Sequence, residues 1–266
     1  MAAIRMHLNS SIHFITNRCE QEQFLMLPSQ TINQLIGAWF ARSLCLFGDG
    51  LEIFAFIFLG NHFHLLCRDT KGTLAQFLGY FQGNLARAVN KELDRRGKFF
   101  SREYDDVIVS GEKEFLNRYV YTSCNAVKAG LVEQAEQWMG WSSLQAAIDG
   151  TAYRFELLNG TKYYKTRRFG KKANREDFVE TWEFELTPPP MWNGKSAKQR
   201  ARHIEELVRA AEKQYAIERQ GKPVLGIKKI KRQKPTDRPK SPARKPRIRF
   251  MCFDKAALAE LIEGYR

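Results

Sequence analysis

Two histidines and a tyrosine carry the strongest chemical signal in this sequence. From Leu59 to Arg68 the chain reads L-G-N-H-F-H-L-L-C-R, so His62 and His64 flank Phe63. On a β-strand successive side chains alternate between faces, which points both imidazoles the same way. Two imidazoles side by side on a rigid sheet can hold a divalent cation if a third ligand arrives from elsewhere. Further along, Y-T-S-C-N sets Tyr121 and Asn125 four residues apart, on one face of a helix, with Arg118 three residues earlier on the same side. A phenolate is a competent nucleophile toward phosphorus. An ion held by His62, His64 and Asn125 would polarise a phosphodiester and neutralise charge in its transition state. The amide suits Mg²⁺ or Mn²⁺, while the imidazoles favour Mn²⁺ or softer ions. Each signal alone has a plainer explanation. An H-x-H pair in a strand is more often structural, a single helical tyrosine more often packs, and Asn125 precedes a helix-ending Gly130.

The elements that must position these groups follow from periodicity. Ile53 to Leu59 is seven apolar residues without a break, read as a central strand buried on both faces. A Gly60-Asn61 turn would fold His62 to Arg68 back as its antiparallel partner. Met6 to Arg18 alternates as a first strand, and Tyr104 to Val109 as another. Thr31 to Phe47, beginning with a Thr cap, and Thr73 to Leu93 show the helical period, as does Glu112 to Ala129, closed by Gly130. The order β-α-β-β-α-β followed by α predicts an α+β fold. It is a ferredoxin-like split βαβ antiparallel sheet with helices on one side and Tyr121 on an added helix.

Charge divides the chain unevenly. Residues 1–150 hold 14 Lys+Arg and 15 Asp+Glu, whereas residues 151–266 hold 29 and 14, so the whole net charge of +14 comes from the second half. A basic extension on a near-neutral domain points to a polyanion, most often nucleic acid; the plainer alternative is a solubilising tail. Lys195 to Gln220 reads as a charged helix with a thin apolar stripe. Lys222 to Arg249 holds 12 Lys+Arg, five Pro and one acid, an extended basic arm, before a short amphipathic helix over Phe250 to Arg266. The expected division is 1–148, 149–220 and 221–266. Five scattered cysteines without a C-x-x-C pair argue against a disulfide framework and a cysteine zinc site. With no secretion signal and no membrane-length apolar run, a cytoplasmic protein is expected.

Four stretches resemble one family in its own order. G-N-H-F-H-L-L resembles the P-N-H-V-H-L-L box of the HUH single-tyrosine transposases. N-A-V-K-A-G-L-V at Asn125 to Val132 resembles the N-P-V-R-A-G-L-V signature of the REP-associated tyrosine transposases, and Trp141-Ser142-Ser143 matches the W-S-S that follows it there. I-H-F-I-T-N-R at Ile12 to Arg18 is similar to their opening Y-H-V-T-N-R strand. The matches cover residues 10 to about 145. Gly60, Phe63 and Ala126 replace the family's usual Pro, Val and Pro, and none of these changes removes a chemical group.

The resemblance implies that Tyr121 is the nucleophile, rather than Tyr119, and that His62 and His64 bind a metal with Asn125 as third ligand. It implies cutting of single-stranded DNA beside short hairpins, leaving a 5′-phosphotyrosine and a free 3′-OH, with rejoining by the reverse reaction, as a monomer or homodimer. Arg18, Arg118, Lys128, Lys228, Lys229, Lys231 and Arg232 are expected phosphate contacts. Two other classes compete. One is a hairpin DNA-binding protein that no longer cuts. The other is a sheet-stacking RNA-binding module, which would need Phe54, Phe56 and Phe58 exposed in register.

Overall fold

The computed structural model describes residues 10–169, 172–239, 250–252 and 254–263. Residues 6–9 of the expected first strand, 240–249 of the expected arm and 264–266 of the last helix lie outside the described residues. The chain runs β1 (Ser11–Arg18), α1 (Gln30–Phe47), β2 (Leu51–Phe58), β3 (His62–Asp69), α2 (Leu74–Glu92) and β4 (Asp105–Ser110). It continues through α3 (Glu112–Ser123), α4 (Asn125–Lys128), α5 (Leu144–Asp149), β5 (Tyr153–Leu158), α6 (Gly160–Arg168) and β6 (Val179–Phe184). Last come α7 (Ala197–Glu218), α8 (Ile227–Ile230), β7 (Phe250–Cys252) and α9 (Lys255–Glu263).

The main sheet has the order β2-β3-β1-β4-β7. Its first four strands are antiparallel neighbours, as the split βαβ pattern requires, and β7 adds in parallel to β4. The apolar run Ile53 to Leu59 is therefore an edge strand, not a central one. It tolerates that place because later chain seals its free edge. Phe58 N–H donates to the Trp141 carbonyl at 2.9 Å, and Thr187 N–H donates to the Ile53 carbonyl at 2.8 Å. Between them Ser143 serves both groups of Phe56. Its Oγ accepts from Phe56 N–H at 2.9 Å, and its N–H donates to the Phe56 carbonyl at 2.9 Å. An open apolar edge would otherwise template pairing with other chains.

Alternation then sorts side chains into two cores. Ile15, Phe63, Leu65 and Cys67 face α1 and α2, where Phe40, Phe77 and Phe81 meet them. Phe14 and Leu66 face the other way, toward Phe115 and Tyr119 of α3. A register shift between Ile53 and Ala55 puts Phe54 in the second core while Phe56 and Phe58 stay in the first. All three phenylalanines are at most 1% exposed, so no base-stacking platform exists on that strand.

Local signals were partly displaced. Ser29 caps α1, its Oγ accepting from Ile32 N–H, in place of Thr31. The expected third helix breaks at Cys124 (φ −104°, ψ 14°) into α3 and α4. Downstream, the aromatic-rich stretch after residue 150 forms the β5–β6 pair, which lies against α1. There Gly37 is required, because a Cβ would fall 2.1 Å from the Phe155 ring. The apolar stripe of α7 (Ile204, Val208) packs into the second core with Ile230 of α8. Residues past 148 thus share both cores with the first part of the chain.

Ser143→Ala leaves the buried Phe56 N–H without its side-chain acceptor. We expect a loss of about 1–3 kcal/mol in denaturant unfolding with the native circular dichroism spectrum retained. An unchanged midpoint would show that Ser143 does not seal the edge.

Candidate active site

The pairing of β1 with β3 sets the first layer. Thr16 lies directly opposite His64, Arg18 opposite His62, and Phe14 opposite Leu66. All these side chains share the face that α3 covers. His64 Nδ1 is 2.8 Å from Thr16 Oγ1, and His62 Nδ1 donates to Asn61 Oδ1 at 2.7 Å. Holding each imidazole through Nδ1 leaves Nε2 turned to the site. His64 Nε2 is buried and has no hydrogen-bond partner among the described residues.

The second layer comes from α3 and α4. Tyr121 meets His64 edge to face, ring centroids 5.2 Å apart, and Phe14 stacks on His64 at 5.1 Å. The His62 and His64 rings are 5.0 Å apart and nearly perpendicular. Asn125, 4% exposed, approaches His62 from the first turn of α4. The break at Cys124 therefore does not separate Tyr121 from Asn125. Both reach the histidine face, as their spacing predicts. Tyr119 points elsewhere, into the second core between Phe115 and Trp192, and burial pushes its phenol well above the ordinary range.

Cations surround the phenol. The Arg118 guanidinium lies 5.4 Å from the Tyr121 ring and 5.5 Å from Phe14, and its Nε donates to buried Glu114 at 2.7 Å. Lys128 Nζ is 4.6 Å from the Tyr121 ring and 5.6 Å from Tyr215 of α7. Arg18 flanks His62 from the sheet side. Burial, reinforced by Arg18, lowers the His62 pKa to about 3. His64 is held well below its usual value by burial, then by His62 and the nearby Arg18, Arg118 and Lys128. Both rings are neutral at neutral pH, the form that can ligate a metal.

Of the expected residues, the structure brings together His62, His64, Tyr121, Asn125, Arg18, Arg118 and Lys128. Lys228, Lys229, Lys231 and Arg232 stand exposed on and just after α8, outside this cluster. Thr16, Asn61, Phe14 and Tyr215 join it without having been singled out. Phe14 and Thr16 could have been found from strand alternation with Arg18, but nothing in the sequence marks Tyr215. A divalent ion fits the donor set, two imidazole nitrogens and an amide oxygen around an orphaned Nε2, with His62, His64 and Asn125 as its holders. No group of three or more His, Cys, Asp or Glu forms among the described residues, so the amide would have to serve.

No protein-family profile matches the chain, and no curated protein does. Several solved structures are similar to it, two of which follow. The structure of a REP-associated tyrosine transposase bound to a REP hairpin shares 16% identity at a TM-score of 0.48, covering 56% of this chain and 86% of that one. A provisionally named transposase from Deinococcus radiodurans shares 15% identity at a TM-score of 0.32, covering 42% and 89%. All five cysteines are free, and no described helix is long and apolar enough to cross a membrane.

The depressed His62 pKa has a fixed sign for stability. Between about 6.5 and about 3 the unfolded chain binds a proton at this residue that the folded chain refuses, so metal-free protein loses stability as pH falls through that window. His62→Gln should flatten the dependence of melting temperature on pH, most clearly above the carboxylate range. A parallel slope in both proteins would show that His62 titrates normally.

Proposed function

We propose that this protein cuts and rejoins single-stranded DNA beside hairpins through a covalent 5′-phosphotyrosine at Tyr121. The observation that carries this reading is the placement of the Tyr121 ring against His64, with the cations of Arg118 and Lys128 beside it, while Tyr119 is sealed in the core. The four motif resemblances, in family order, support it.

In this reading Tyr121 Oη attacks the scissile phosphorus as its proton is lost. The P–Oη bond forms, the P–O3′ bond breaks, and the leaving O3′ takes up a proton to give a free 3′-OH. Religation runs the same steps backward, with a 3′-OH displacing the tyrosine. Arg118 and Lys128 bind the phosphate oxygens and hold the phenol in line, and Arg18 offers a further contact beside His62. His62, His64 and Asn125 would hold Mg²⁺ or Mn²⁺, which when bound supplies Lewis-acid polarisation of the phosphate and neutralises charge. Thr16 and Asn61 orient the two imidazoles. Because Tyr121 faces histidines of its own chain, cleavage in cis by a monomer suits this geometry. A dimer is not required by it.

Incubation of wild type with labelled single-stranded hairpin DNA and Mn²⁺ should yield a denaturant-resistant protein–DNA adduct, and Tyr121→Phe should yield none while still binding the DNA. An adduct with both would move the nucleophile elsewhere. No adduct across varied hairpins and ions would leave a protein that binds hairpins without cutting. Separately, Thr16→Val should weaken Mn²⁺ binding about 10–100-fold by calorimetry, with the fold intact. Unchanged affinity would mean that Thr16 does not orient His64 for an ion.

A further inference from the structure

The segment from Leu225 to Asp237 is tied down at both ends beside the two halves of the site. At its start, Leu225 N–H donates to the Gly130 carbonyl at 2.8 Å and Gly226 N–H donates to the Leu131 carbonyl at 3.0 Å, just past Lys128. In its middle Ile230, 3% exposed, plugs the second core. At its end the Asp237 carbonyl accepts from Phe24 N–H at 3.0 Å. The Phe24 ring in turn packs on the Gly60-Asn61 turn, 3.3 Å from where a Gly60 Cβ would sit. Met26 N–H donates to the Gly60 carbonyl in the same place. The strap therefore runs from the end of α4, which bears Asn125 and Lys128, to the turn that leads into His62.

Along it Lys228, Lys229, Lys231, Arg232 and Lys234 are all exposed, and none forms an ion pair among the described residues. Its one acid, Asp237, spends a carboxylate oxygen on the Lys234 N–H at 2.8 Å. A line of uncompensated cations is costly through self-repulsion unless a polyanion lies on it. The line carries no aromatic side chain on which a base could stack, so it suits backbone contact without base readout. We infer that this strap is a track for the phosphate backbone of the single-stranded DNA flank adjoining the cleaved phosphate. The inference rests on the phosphotyrosine reading for which phosphate is cut, and it adds where the neighbouring strand lies.

The test compares a hairpin oligonucleotide truncated at the cleavage site with one carrying a long single-stranded flank, bound across a salt series. Wild type should bind the flanked DNA more tightly and with a steeper salt dependence. The triple variant Lys228→Gln, Lys229→Gln, Lys231→Gln should lose that flank-dependent gain, and its salt slope on flanked DNA should fall by about 2. A matched variant, Lys165→Gln, Arg167→Gln, Arg168→Gln, removes three exposed charges from α6, between β5 and β6, and should keep the gain. Native melting temperatures for both variants confirm folding. Retention of the gain by the strap variant, or equal loss in the α6 variant, overturns the track. Adduct formation by wild type on the flanked DNA at saturating protein, the substrate that keeps the scissile bond, reports on Tyr121 independently. Its absence in wild type alongside a strap-dependent gain would remove the phosphotyrosine reading and keep the strap as a strand-binding surface.

Discussion

The register of β1 on β3 is the constraint from which the site follows. With Thr16 opposite His64 and Arg18 opposite His62, both imidazoles stand on the α3 face while Ile15, Phe63 and Leu65 fill the opposite core. A slip of one residue in β3 would drive the imidazoles into the phenylalanine cluster around Phe40 and Phe81 and turn Phe63 and Leu65 toward the site. That exchange would bury polar rings without partners and expose apolar ones. The core beneath the sheet therefore fixes the chemistry above it. Only one register satisfies both.

The same sheet depends on chain far from the histidines. β2 is apolar on both faces yet lies at an edge, a combination that invites association. Ser143 and Trp141 close that edge through backbone and side-chain bonds, and Thr187 continues the closure. Beyond them α7 lays Ile204 and Val208 into the core under α3, which brings Tyr215 alongside Lys128. Part of the extension is thus structural support for the helix that bears Tyr121. Its basic composition had pointed to a polyanion partner, with a solubilising tail as the plainer alternative, and not to a part in the core.

What could be read from the sequence was what depends on local period. Alternation placed His62 and His64 together, and helical spacing joined Tyr121 to Asn125. Strand and helix order led to the split βαβ sheet, whose strand neighbours are found as expected. Edge position was not legible, because an unbroken apolar run reads the same whether strands or a distant serine cover it. The helix break at Cys124 has no Gly or Pro to announce it. The β5–β6 pair hides in a stretch where aromatics alternate with charge, its register set by Phe155 against Gly37 on another element. The turn at Gly60-Asn61 owes its place to Cys19 and Met26, whose N–H groups bind the carbonyls of Asn61 and Gly60. Neither turn residue needs a positive φ.

Environment, more than residue type, separates Tyr121 from Tyr119. The two are neighbours on one helix, but desolvation opposes ionisation of Tyr119, whereas the guanidinium of Arg118 and the ammonium of Lys128 lie against the Tyr121 ring. Two of the acids near the site are already engaged: Glu114 pairs with Arg118, and Glu22 lies 4.0 Å from Arg18 at the rim. The surplus positive charge helps keep both histidines neutral, which favours ligation of an ion. Yet the same charge repels a divalent cation that arrives alone. In the proposed reaction an incoming phosphate would relieve that repulsion by bringing negative charge beside Arg18, Arg118 and Lys128, so the ion and the DNA should each strengthen the other's binding.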